Sequence, residues 1–183
     1  FYTSGTTGLP KGVRRKPMKP EQVAASARVG GIAYGVKPNE DQVILMNGPM
    51  YHSAPNSYGM LAFRSGCRIV LEPRFDPEDL LQLTERHRVT HMCGAPVVMT
   101  MLIHAPAETK VPFDEVVEFA TGGAAPPTPV IAGMEAMGFR VTHLYGLSES
   151  YGPATLCAWQ EGWDVLPLDE RATLTNMAVE AGG

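Results

Sequence analysis

Cysteine is scarce in this chain, with Cys67, Cys93 and Cys157 the only three in 183 residues and no Cys-x-x-Cys pair among them. An odd number at wide spacing argues against a disulfide framework and against a thiolate zinc site. The thiols read instead as reduced cysteines of an intracellular protein, two of them in strand-like cores. Long apolar runs are also missing, and none approaches the roughly 20 residues of a membrane-spanning helix. Positive charge is not in surplus: the net charge of -4 offers no basic field to gather nucleic acid. Charged residues make up 19% and hydrophobic residues 44%, which is the balance of a folded globular domain and not of a disordered one. A length of 183 residues suffices for one domain with a real core. There is no initiating methionine and no leader, so the chain is expected to be a piece of a longer protein, with a cytoplasmic setting.

What the sequence has is concentrated at its start. Tyr2-Thr3-Ser4-Gly5-Thr6-Thr7-Gly8-Leu9-Pro10-Lys11-Gly12-Val13 packs hydroxyls and glycines around a single lysine. Glycine allows positive φ and close backbone approach, so successive N–H groups can converge on an anion. Thr3, Ser4, Thr6 and Thr7 add hydroxyl donors, and Lys11 adds a mobile point charge suited to phosphate oxygens. The segment reads as a polyphosphate cradle. It is not the common P-loop, because Pro10 stands where that motif needs glycine and Gly12 follows the lysine. A helix is not expected to start there. On composition alone, a Ser/Thr/Gly surface turn without a ligand accounts for the same residues.

Downstream, helical and strand-like segments alternate. A helix is predicted over Pro20–Tyr34, a buried strand over Val43–Met46, a helix over Ser57–Phe63 and a strand over Cys67–Leu71. Asp76-Pro77-Glu78-Asp79 supplies a cap, a first-turn proline and first-turn acids for a helix whose inner face is Leu80, Leu81, Leu83 and Thr84. Strands are predicted at Val89–Cys93, Val116–Thr121 and Phe139–Leu144, and helices at Val97–His104 and Pro129–Met137, the last ending at Gly138. The alternation predicts an α/β fold, a mostly parallel sheet with covering helices. In such sheets ligands bind at the carboxyl ends of the strands. Gly122-Gly123-Ala124-Ala125-Pro126 and Tyr145-Gly146-Leu147-Ser148-Glu149 both follow predicted strands at that end.

In the second of these segments, Tyr145 offers a flat face, Ser148 a donor to phosphate, and Glu149 a hard oxygen ligand of the kind Mg²⁺ takes beside nucleotide phosphates. Each also has a plain alternative, Tyr145 as a core aromatic and Glu149 as a solvated acid. Together with the opening loop, Pro49-Met50-Tyr51-His52-Ser53 and Gly122 to Pro126, they give four motifs in a fixed order. In these the chain resembles the adenylate-forming superfamily, in its acyl-CoA synthetase branch, over a central part of that family's large N-terminal domain.

The resemblance implies a two-step ligase. A carboxylic acid and ATP give an acyl-adenylate, and coenzyme A then takes the acyl group. It implies that Thr3, Ser4, Gly5, Thr6, Thr7, Gly8 and Lys11 hold the β- and γ-phosphates. Ser148 would contact the α-phosphate region and Glu149 would hold Mg²⁺. Gly123, Ala124 and Ala125 would lie along adenine and the acyl group, with Tyr145 and its neighbour Gly146 at the base. His52 would sit beside the acyl-adenylate; the plain alternative is a loop histidine bonded to backbone. His143 is a weaker candidate near adenine. The ribose-binding aspartate, hinge arginine and C-terminal lysine of the family have no counterpart after Glu149, so a C-terminal lid domain is expected to be absent and residues 1–183 inactive alone.

Met50 to Pro55 and Tyr151 to Trp159 are most similar to synthetases of fatty and medium-chain acids. The pocket is expected around Met92 to Met101 and Gly122 to Pro126. A non-catalytic nucleotide-binding fragment and a peptide-synthetase adenylation domain are the alternatives.

Overall fold

The computed structural model describes residues 2–3, 8–14, 16–109, 113–148 and 152–157. Two short strands, β1 (Tyr2–Thr3) and β2 (Lys11–Gly12), pair antiparallel and form a sheet of their own, with Thr3 opposite Lys11. The sequence reading gave this segment no strands. The remaining elements are α1 (Pro20–Tyr34), β3 (Val43–Met46), α2 (Ser53–Arg64), β4 (Arg68–Leu71), α3 (Pro77–His87), β5 (His91–Gly94), α4 (Pro96–Ile103), a single 3-10 turn (Ala107–Thr109), β6 (Val117–Gly122), α5 (Thr128–Ala136), β7 (Phe139–Leu147) and β8 (Gly152–Leu156).

The larger sheet has the order β4-β3-β5-β6-β7-β8. Every pairing from β4 to β7 is parallel, and β8 alone runs antiparallel, against β7. After β3 the chain steps outward to β4, then returns past β3 to add β5, β6 and β7. This reversal makes the β3/β5 boundary a topological switch point, where neighbouring crossovers leave a crevice at the carboxyl ends. The loop after β3 and the turn after β5 both open onto it.

The central strands are apolar on both faces, as burial by helices on two sides requires. All four residues of β3 are buried. On one face Val43, Leu45, Met92, Val117, Phe119, Phe139 and Val141 pack against Leu80, Leu81, Met99, Leu102, Ile131 and Met134 from α3, α4 and α5. Phe139 sits edge-on to both Phe113 and Phe119, with centroids 5.1 and 5.8 Å apart, a favoured aromatic geometry. The other face carries smaller clusters, in which Ile44, Met46, Tyr58 and Ala62 meet Tyr34 and Cys93, and Ala33 meets Ala120 and Leu144.

Local signals account for most boundaries. Asp76 accepts from the Glu78 and Asp79 backbone N–H groups, so α3 starts where the cap and Pro77 require. Gly35, with φ 68°, closes α1 in the left-handed conformation that glycine takes without strain. The helix predicted from Ser57 in fact starts at Ser53, because the His52 ring accepts from Ala54 N–H. Pro55 falls in the first turn, where no intrahelical N–H is needed.

Three further expectations are corrected. The last parallel strand does not stop at Leu144 but runs on to Leu147, because β8 pairs with it across a bulge at Tyr145/Gly146. Of the cysteines, Cys93 lies in β5, but Cys67 precedes β4 and Cys157 follows β8, all three only partly buried and free. Within the segment expected near the pocket, Met92 and Met99 are core residues with no exposed surface, whereas Val97 and Met101 are exposed. None of the described helices is long and apolar enough to cross a membrane.

Candidate functional site

The candidate site is built at the carboxyl ends of β3, β6 and β7. From β3 the chain turns through Asn47-Gly48-Pro49 into α2. A side chain on Gly48 would meet Pro55, with a Cβ only 2.7 Å from the proline ring, so glycine lets the turn fold against the helix it feeds. The segment is pinned by His52 N–H to the Pro49 carbonyl at 3.0 Å and by Asn56 Nδ2 to the Met50 carbonyl at 3.1 Å. The His52 ring is exposed. Its Nδ1 accepts from Ala54 N–H at 3.3 Å, which places the proton of the neutral ring on Nε2. His52 is therefore both the backbone-bonded histidine of the plain reading and an outward N–H donor.

Ser53, the first residue of α2, reaches across the sheet end. Its Oγ lies 2.9 Å from Oγ of Ser148, the residue that follows β7. Strands β5 and β6 lie between β3 and β7, so this contact closes a span of about 14 Å at ordinary strand spacing. Two of the four sequence motifs are thereby joined by a side-chain hydrogen bond.

The third motif follows β6. Gly122 is overhung by the Leu144 carbonyl oxygen, 2.9 Å from where a Cβ would stand. Gly123 takes φ 91° with open space beside its α-carbon, and Ala124 and Ala125 are exposed. The result is a shelf without bulky side chains, on which a planar ring can lie against backbone. A nucleotide could use this shelf for its base and the Ser148 hydroxyl for a phosphate oxygen.

Tyr145 and Gly146, expected in a loop beyond the strand, lie within β7, and the antiparallel partner β8 fixes them. His143 is buried in the same strand, opposite Thr121. In the opening ribbon, Lys11 and Gly8 are exposed and Thr3 is half-buried. Gly8 has φ 123°, a conformation that glycine takes without strain. Ser4, Gly5, Thr6, Thr7 and Glu149 lie outside the described residues. Among the described residues no three His, Cys, Asp or Glu side chains cluster as a metal site.

Sequence reasoning missed other polar groups here. Ser53 was read only as the end of a motif. Asn47 Nδ2 and Thr121 Oγ1 are buried at the carboxyl ends of β3 and β6 with no hydrogen-bond partner among the described residues. Asn47 was legible only as part of a turn, and Thr121 only as a strand residue.

A half-open pocket of about 630 Å³ lies at the opposite end of the sheet, bounded by Lys37, Gln42, His91, Glu118 and Arg140. Its chemistry is that of a packed ion pair: Arg140 donates to Glu118 at 2.7 Å. Burial pushes the Glu118 carboxyl above its usual range, against the pull of Arg140. Burial likewise holds the His91 imidazole below its usual value. Opposed charges that satisfy one another give no cradle for an anion, and no motif residue reaches this end.

The sequence matches the AMP-binding enzyme family over residues 1–176. It is 40% identical over 176 residues to an acetate–CoA ligase of Humulus lupulus, covering 94% of this chain and 30% of that protein. An acetate/butyrate–CoA ligase of Arabidopsis thaliana, named as peroxisomal, is 39% identical over 94% of this chain and 30% of its own length. The chain thus spans about 30% of the length of the curated relatives it matches. Among solved structures, the inhibitor-bound N-terminal domain of FACL13 from Mycobacterium tuberculosis superposes with a TM-score of 0.75 at 27% identity, covering 90% of this chain and 40% of that one. An o-succinylbenzoate CoA synthetase of Bacillus subtilis, in complex with its acyl-adenylate intermediate, gives 0.70 at 26%, covering 86% and 39%.

Proposed function

The chain belongs to the AMP-binding enzyme family, and from that premise we propose that the full-length protein is an ATP-dependent acid–thiol ligase. A carboxylate oxygen attacks the α-phosphorus of ATP, the bond to the bridging oxygen breaks, and pyrophosphate leaves. The sulfur of coenzyme A then attacks the acyl carbon, and AMP leaves with the electron pair of the C–O bond. Residues 1–183 form the central part of the N-terminal domain in this reading, with the lid and its lysine elsewhere in the protein.

The observation that carries the proposal is the hydrogen bond between Ser53 and Ser148, which brings two family motifs together above a parallel sheet. Such chemistry relies on positioning and on donors fixed where charge develops. Lys11, Thr3, Ser4, Thr6 and Thr7, with the backbone of Gly5 and Gly8, hold the terminal phosphates. Ser148 donates to an α-phosphate oxygen. Glu149 holds the Mg²⁺ that accompanies ATP. Gly123, Ala124 and Ala125 support the base and acyl group, and Tyr145 and Gly146 border the base. His52, through its Nε2–H, meets the incoming carboxylate in this reading, supported by its exposed ring and its Nδ1 bond to Ala54 N–H.

For the acid, the names of the relatives favour short aliphatic chains such as acetate, butyrate and 2-methylpropanoate, below the fatty or medium-chain acids that residues 50–55 suggest. The three free cysteines suit a reducing compartment. The test is acid-dependent ATP–pyrophosphate exchange by the full-length protein, across acids from acetate to octanoate. Exchange with none of them would overturn the proposal.

A further inference from the structure

Ser53 has no part in the roles above, yet its hydroxyl makes the contact that joins them. The segment that carries it is fixed without that hydroxyl: His52 N–H bonds Pro49, Asn56 N–H bonds the His52 carbonyl at 3.1 Å, Asn56 Nδ2 bonds Met50, and Ala54 N–H bonds the His52 ring. The Ser53 side chain is free to serve another purpose, and at 2.9 Å from Ser148 Oγ it does.

A hydroxyl has one proton and two lone pairs. A phosphate oxygen only accepts, so Ser148 must spend its proton on it. Ser148 can do so only while the serine beside it donates to it and does not accept from it. Ser53 can supply that proton, and a hydroxyl that accepts one hydrogen bond donates the next more strongly. We infer that Ser53 is a positioning residue for adenylation: it donates to Ser148 Oγ and so directs the Ser148 proton toward the α-phosphate. This inference rests on the proposed contact between Ser148 and that phosphate.

The test compares Ser53→Ala, Ser148→Ala, the double variant and Ser53→Thr in the full-length protein, by acid-dependent pyrophosphate exchange and thermal melting. Ser53→Ala should lower kcat about fivefold, the scale of one neutral hydrogen bond, with the KM for the acid unchanged. Ser53→Thr should restore the rate. Adding Ser53→Ala to Ser148→Ala should cost nothing further, which a merely structural role would not produce. If Ser148→Ala exchanges at the wild-type rate, the phosphate contact fails, and this inference with it. If Ser148→Ala is slow but Ser53→Ala is not, or if the two losses multiply, the phosphate contact stands and the role of Ser53 is overturned. Should Ser53→Ala fold poorly, Ser53→Thr and Ser53→Val, alike in shape and different in the hydroxyl, make the same comparison.

Discussion

The backbone of Gly146 approaches the carbonyl oxygen of Gly152 so closely that a Cβ at position 146 would overlap it. Where β7 and β8 pair, Gly146 stands opposite Pro153 and Leu147 opposite Gly152, next to the bulge that sets Tyr145 in place. The obstacle is backbone, so no rotamer change relieves it. Gly146→Ala is expected to destabilise the full-length protein by about 2–3 kcal/mol, the cost of overpacking. A melting temperature within a degree of the wild type would show that β8 yields without cost.

The charge and the metal ligand carry the strongest functional expectation. Lys11→Ala and Glu149→Ala in the full-length protein should each cut pyrophosphate exchange by about 100-fold or more, the effect of removing one donor or ligand from a transition state. Thermal stability should hardly change, since Lys11 is exposed in a short ribbon. Wild-type exchange in either variant would refute the assigned role.

The sequence made the central sheet legible because buried parallel strands read as apolar runs and helix starts carry caps. Val43–Met46 and the Asp76-Pro77 start were found at their true positions for those reasons. The strands of the opening ribbon and β8 stayed hidden, since two-residue ladders and the Gly152-Pro153 segment have no hydrophobic period to detect. The site was legible as motifs and not as contacts. Nothing in the sequence brings Ser53 to Ser148, because that pairing depends on which strands lie between them.

Asp76 tests the helix signal directly. Its carboxylate accepts from two backbone N–H groups at the start of α3, at 2.9 and 3.2 Å. Asp76→Ala should lower stability by about 1 kcal/mol, and Asp76→Asn or Asp76→Ser should recover most of it. Equal stability of all these variants in urea titration would remove the cap from the account.

His91 gives the fold a pH dependence. Burial holds its pKa below 6.5, with Lys37 pushing the same way and the Gly35 backbone and Glu40 opposing. The unfolded chain therefore takes up a proton near pH 6.5 that the folded chain refuses until lower pH. The contribution of His91 is complete above pH 6.5 and declines as pH falls through the lowered folded value. Because Glu118 titrates nearby with the opposite sign, the measurement is the difference between wild type and His91→Gln in urea titrations from pH 5 to 8. Stability of the wild type relative to the variant should rise with pH and level off; a flat difference would exclude the shift.

The two faces of the sheet also differ in how they are assembled along the chain. The face built on α3, α4 and α5 draws mainly on consecutive units, each helix packing beside the next and beside the strands it connects. On the other face Tyr58 of α2 packs on its chain neighbours β3 and β4 and on Cys93 of β5, whereas α1 is brought to β6 and β7, far along the chain. Contacts between sequence neighbours close short loops and form early, whereas distant ones wait. Folding is therefore expected to begin among residues 77–144 and to finish by docking α1. Truncating Phe119 should then slow refolding, while Ala33→Gly in α1 should mainly speed unfolding; the reverse pattern would put the nucleus on the other face. In that order the Ser53–Ser148 contact is among the last to form, so chemistry at the sheet end would wait for a completed domain.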